Sequence, residues 1–155
     1  MPPASPSPTK RIIVLEEAER AELYDRPHFT DDERLGYFTL PPIDVALMET
    51  FSDAAVQAFF VLTLGYFKAK QRFFTVTIEE VSDELRFIRD HLTLPATDDE
   101  LRVPSAPTIY EQRKLILSVT GYRPCRAADR HAAFQVVCQA ARISVNRRPI
   151  VLCDR

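Results

Sequence analysis

Residues 52–68, "SDAAVQAFFVLTLGYFK", decide the fold. Val56, Phe59, Phe60, Thr63 and Phe67 recur at steps of three and four, the spacing of one helical face. Val61, Leu62 and Leu64 widen that face nearly all the way round. A helix that is apolar around its circumference belongs inside a core rather than on top of one. Ser52 stands where a hydroxyl can cap the first turn, and the periodic pattern runs to about Lys68.

The flanking segments are helical too. Downstream, Thr77 and Glu80 have the spacing of a capping box, in which each side chain accepts the other's backbone N–H. Ile78, Val81, Leu85, Ile88 and Leu92 then form the apolar stripe, with Glu79, Asp83, Glu84, Arg86 and Asp90 on the wetter positions. Upstream, residues Arg11 to Tyr24 are rich in Glu, Ala and Leu and stop before Pro27. Thr30-Asp31-Asp32-Glu33 is a second capping box, followed by Leu35, Tyr37 and Phe38 as apolar contacts. Pro42 suits a first helical position, where a missing N–H is harmless, and places Ile43, Ala46, Leu47 and Thr50 on one side.

Beyond His91 the pattern breaks at prolines 95, 104 and 107, marking residues 95–107 as a linker. A helix from Pro107 or Thr108 to Thr120 stops at Gly121, and Tyr122-Arg123-Pro124 makes a turn. A last helix spans about Ala127 to Ile143, its stripe being Ala127, His131, Phe134, Cys138 and Ala141. The Val/Thr-rich stretches 61–64 and 75–78 could serve as strands, but both lie inside or against helical periodicity. The expected fold is all-α, about six helices in a compact bundle. Residues 1–10 form a disordered Pro-rich lead-in, 11–94 an N-terminal helical subdomain, 108–145 a second helical module and 146–155 an irregular tail.

The 155 residues suffice for one domain or two very small ones, and 46% apolar with 27% charged is ordinary for a globular protein. No apolar run approaches the roughly 20 residues of a membrane span. Three cysteines and no secretory leader fit a reducing, cytoplasmic setting. The net charge of -2 conceals a split. Residues 1–100 hold 10 Lys/Arg against 19 Asp/Glu, whereas residues 101–155 hold 10 against 3. A polyanion responds to the field of one face, not to the chain's sum.

Catalytic chemistry has little support. His28 adjoins Pro27, His91 ends a helix, and His131 on an apolar stripe reads as a buried or half-buried packing residue. Cys125, His131, Cys138 and Cys153 lack the paired close spacing of a zinc knuckle, so no metal is expected. Three glycines are too few for a phosphate-cradling loop. Asp31-Asp32-Glu33 and Asp98-Asp99-Glu100 are explained by capping and an exposed linker. No cofactor and no catalytic residue is expected.

Two basic clusters remain. Lys68, Lys70 and Arg72 follow the central helix next to Phe73 and Phe74. Cations at a helix C-terminus oppose its dipole, which accounts for some of them; aromatic-anchored cations also suit phosphate contacts. Arg113, Lys114, Arg123, Arg126 and Arg130 surround a helix, a glycine-containing turn and the next helix, the raw form of a helix-turn-helix. There Arg126 and Arg130 would face groove edges or phosphate.

The blocks "ELYDRPHFTDDERLGYFTLPPIDVALMETF", "LTLGYFKAKQRFF" and "LILSVTGYRPC", in this order, resemble the amino-terminal region of the Tn3-type replicative transposases over residues 14–145. That resemblance implies helix-turn-helix-like modules that bind double-stranded DNA at the transposon's terminal inverted repeats. It implies Lys68, Lys70, Arg72, Arg113, Lys114, Arg123 and Arg126 as DNA-facing residues. Gly65 and Gly121 become packing or turn positions, and Tyr66, Phe67, Phe73 and Tyr122 scaffold. The family's Asp-Asp-Glu nuclease domain lies far downstream, so a truncated, noncatalytic chain is expected. Asp25, where the family generally has glycine, and the Pro/Ser lead-in are departures. The alternative expectation is a folded remnant, or a helical interaction module joining transposase subunits, without DNA binding.

Overall fold

Among residues 15–146, which the computed structural model describes, with side chains as far as residue 141, there are seven α-helices, one 3-10 turn and no strand. The helices are α1 (Glu17–Tyr24), α2 (Asp31–Phe38), α3 (Pro42–Met48), α4 (Ala54–Lys70), α5 (Ile78–His91), α6 (Ala106–Thr120) and α7 (Ala127–Asn146). The expected all-α class holds, with seven helices in place of about six. The chain forms two compact units, Met1–Arg113 and Lys114–Arg155, the division falling inside α6. The Pro-rich lead-in, residues 11–14 of the expected first helix and most of the expected tail lie outside the described residues.

In the first unit α2, α3 and α5 pack against α4. As its all-round apolar surface requires, α4 buries Ala55, Ala58, Phe59, Phe60, Val61, Leu62, Leu64, Gly65, Tyr66 and Phe67. The supposed strand at 61–64 is the middle of this helix. Its cap is Asp53, not Ser52: the Asp53 carboxylate accepts the N–H groups of Ala55 (2.8 Å) and Val56 (3.2 Å). Ser52 lies one residue too early to reach them. Burial works to raise the Asp53 pKa, but the two N–H groups and Arg102 hold it below its ordinary value.

Contact between α2 and α4 is close because Gly65 has no side chain. A methyl group there would meet the Phe38 ring at 2.6 and 2.8 Å. Phe38 is fully buried, edge-on to Phe29 with ring centroids 5.5 Å apart. Leu35, expected to pack, is instead 47% exposed, and Phe29 supplies the missing contact by stacking on Tyr37. The Thr30–Glu33 box forms as expected, Thr30 N–H donating to Glu33 at 2.8 Å and Glu33 N–H to Thr30 at 3.4 Å.

The expected face of α3 is rotated, and that of α5 is widened by one residue. In α3, Ile43 is 67% exposed and Ala46 and Thr50 are exposed, while Asp44 and Met48 turn inward. The Asp44–Lys68 ion pair fixes this orientation at 2.6 Å. In α5, Val81, Leu85 and Ile88 are buried as the stripe predicts, but Glu84 joins them at 6% exposure. Glu84 is tolerated inside because Arg26 lies 3.6 Å away and itself donates to the Tyr66 hydroxyl at 3.0 Å. Burial raises the Tyr66 pKa, with the Arg26 hydrogen bond opposing it.

Residues 95–107 are folded into the first unit. Asp98–Glu100 form the 3-10 turn, begun by Thr97 N–H donating to Glu100 at 2.7 Å, and Leu101 and Pro104 are buried. Midway along α6, Gln112 is fully buried and donates its side-chain N–H to the Val56 carbonyl of α4 at 2.9 Å.

In the second unit α6 ends at Gly121, whose φ of +75° is the left-handed conformation that glycine adopts without a steric penalty. The Tyr122 N–H returns to the Leu117 carbonyl at 2.9 Å, closing the helix end in a Schellman turn. Helix α7 begins at Ala127, as the sequence predicts, but its apolar stripe is not covered. Phe134 is 67% exposed, and Ala127, His131 and Ala141 are exposed, Cys138 being half-buried. The expected packing role of His131 is therefore corrected: its ring nitrogen lies 3.0 Å from the Gln135 amide on the open helix surface.

Candidate nucleic-acid interface

The cations at the C-terminal end of α4 are held by the protein itself. Lys68 pairs with the buried Asp44. Lys70 donates to the Glu22 carbonyl. Arg72 donates to the Leu23 carbonyl at 3.4 Å and lies over the Tyr24 and Phe74 rings, 5.1 and 5.6 Å from their centroids. All three are partly buried. Gln71, left-handed at φ 48°, ends α4 between Lys70 and Arg72. These side chains bind α1 and α3 to the end of α4, through one carboxylate on α3 and two backbone carbonyls on α1.

Arg113 is likewise half-buried. Its guanidinium donates to the Phe74 carbonyl at 3.1 Å and lies 5.2 Å from the centroid of Phe73. The next residue, Lys114, is exposed.

The turn between α6 and α7 is organised differently. Asp129, in the first turn of α7, accepts both terminal nitrogens of Arg123, at 2.6 and 2.7 Å, and the backbone N–H of Arg126 at 2.8 Å. The bidentate arginine and then the Arg126 N–H hold its carboxyl down at about 2. An acid at this position suits the positive end of a helix. The clamp fixes where the residues on either side of Pro124 sit.

Arg126 and Arg130 flank that clamp. Both are exposed, and among the described residues neither guanidinium has an ion-pair partner. They stand four residues apart, one helical turn, at the start of a 20-residue helix. Within the second unit the arrangement can offer two exposed guanidinium groups beside a helix N-terminus, a geometry that attracts anions.

Of the eight residues singled out from the sequence, then, Lys68, Lys70, Arg72 and Arg113 have internal partners in the first unit. Arg123, Arg126 and Arg130 come together around one turn in the second. Asp129, which orders that turn, was not picked out by sequence reasoning. Its position three residues after Arg126, where a capping acid belongs, is the signal that would have found it. Among the described residues no three His, Cys, Asp or Glu side chains gather as a metal site. No helix among them is long and apolar enough to cross a membrane.

Fold and site together define an all-α protein with an arginine-bearing turn between its last two helices, α6 and α7. Residues 14–155 match the model of a domain of unknown function, DUF4158, and the chain belongs to that family. No curated protein and no solved structure matches the chain.

Proposed function

We propose that this chain is the amino-terminal, noncatalytic DNA-binding region of a Tn3-type replicative transposase and that it binds double-stranded DNA at the transposon's terminal inverted repeats. The observation that carries the reading is Arg126 and Arg130 at the start of α7, exposed and, among the described residues, without an ion-pair partner, behind a turn locked by Arg123 and Asp129. The first turns of the second helix are where helix-turn-helix proteins touch base edges. Cations on an exposed helix start can also neutralise phosphates, which supply most of the affinity. Lys114 adds a further exposed cation, and Arg123 acts by positioning. Lys68, Lys70 and Arg72 serve mainly to hold α1 and α3 to α4.

The test is a titration against a duplex carrying a related transposon's terminal repeat and against scrambled duplex, at two salt concentrations. Repeat binding should weaken steeply as salt rises. Replacing both Arg126 and Arg130 with Ala should weaken it at least tenfold and reduce the slope of log affinity against log salt by about 2, roughly 0.9 per lost phosphate contact. Equal, negligible binding to both duplexes would defeat the proposal.

A second reading, a helical module that joins transposase subunits, draws on Phe134, Val136 and Val137 of α7, each exposed by about two-thirds. Self-association measured by sedimentation, with no affinity for either duplex, would favour it.

A further inference from the structure

A cavity of about 380 Å³ opens in the first unit, walled by Phe59, Phe74, Val76 and Ile109, with Ala106 and Arg113 also on its lining. Its size lies within the range of small-molecule sites, and such sites combine apolar walls with a few placed polar groups. Arg113 is the one charged residue on the lining. No carboxylate among the described residues pairs with it.

The hydrogen-bonding of Arg113 is incomplete. One terminal nitrogen donates to the Phe74 carbonyl, while Nε is buried with no acceptor. An arginine has five N–H donors and no way to shed its charge. The Phe74 carbonyl and the Phe73 ring meet part of the guanidinium, and neither supplies a counter-ion. An anion drawn to the guanidinium would supply the missing charge, and an apolar body attached to it would fill the space beside Phe59 and Ile109.

We propose that this cavity binds a small amphiphilic carboxylate, an acid with an aryl or medium-length alkyl body, whose carboxylate meets Arg113. Binding is non-covalent and independent of the duplex-binding reading, since every lining residue belongs to the first unit and none is Arg126 or Arg130.

The probes are 4-phenylbutyrate, its neutral amide and inorganic phosphate, titrated into the full chain by calorimetry and by heteronuclear NMR. The acid should bind saturably, with shifts centred on Ile109 and Arg113, and at least tenfold more tightly than the amide or phosphate. Arg113→Met should abolish the preference for acid over amide. If that variant does not fold, Ala106→Trp provides the second arm, because an indole on the lining should exclude the probe and weaken binding tenfold or more. No binding of the acid, equal binding of acid and amide, phosphate binding as tightly as the acid, or unchanged affinity in Ala106→Trp would each overturn the proposal.

Discussion

Protonating Asp129 would release Arg123 and the Arg126 N–H together, because one carboxylate accepts from both. Its pKa in the folded chain is about 2, below the ordinary 3.8. A depressed carboxylate stabilises the fold fully above the ordinary value and loses that contribution as pH falls through the folded one. The start of α7 should therefore loosen between pH 3.8 and about 2, and not between pH 5 and 8. Carboxyl-carbon NMR should give a midpoint near 2 for Asp129. Asp129→Asn should remove that low-pH step and increase exchange of the Arg126 amide at neutral pH. A midpoint near 4 would mean that the clamp does not form in solution.

Helices reveal where sequence reading succeeds and where it fails. Capping boxes and periodicity located α2, α4, α5 and the start of α7, because those signals depend on neighbours within one turn. The inward face of α3 and the inward position of Glu84 in α5 were missed because Asp44 and Glu84 are buried by partners 24 and 58 positions away, Lys68 and Arg26. Likewise, the acceptors of the cations at the end of α4 lie on α3 and α1, too far away in sequence for spacing to disclose them. A related contact can be tested at Gly65. Gly65→Ala should improve local helix propensity by about 1 kcal/mol. It should nevertheless destabilise the protein by about 1–3 kcal/mol, since the buried Phe38 ring has little room to retreat. Denaturant unfolding measures the balance, and a stabilised Gly65→Ala variant would show that α2 moves away readily.

Across the whole chain, protection should be uneven. Amides in the middle of α4 should exchange slowest, since that helix is buried on nearly every side, whereas α7 presents exposed side chains along most of its described length. Hydrogen exchange read by mass spectrometry should place peptides covering 58–67 at the protected extreme and those covering 127–140 well below it. The reverse order would contradict the burial pattern. The apolar content of α7 could not disclose this from sequence, because periodicity identifies a face without saying whether anything covers it. Helix α6 has a practical bearing on dissection: the division between the two units falls after Arg113, within its 15 residues. Cleaving there would strand the amides of the severed stretch without their upstream carbonyls. A fragment meant to isolate the arginine-bearing turn should therefore begin before Ser105, keeping the whole rod.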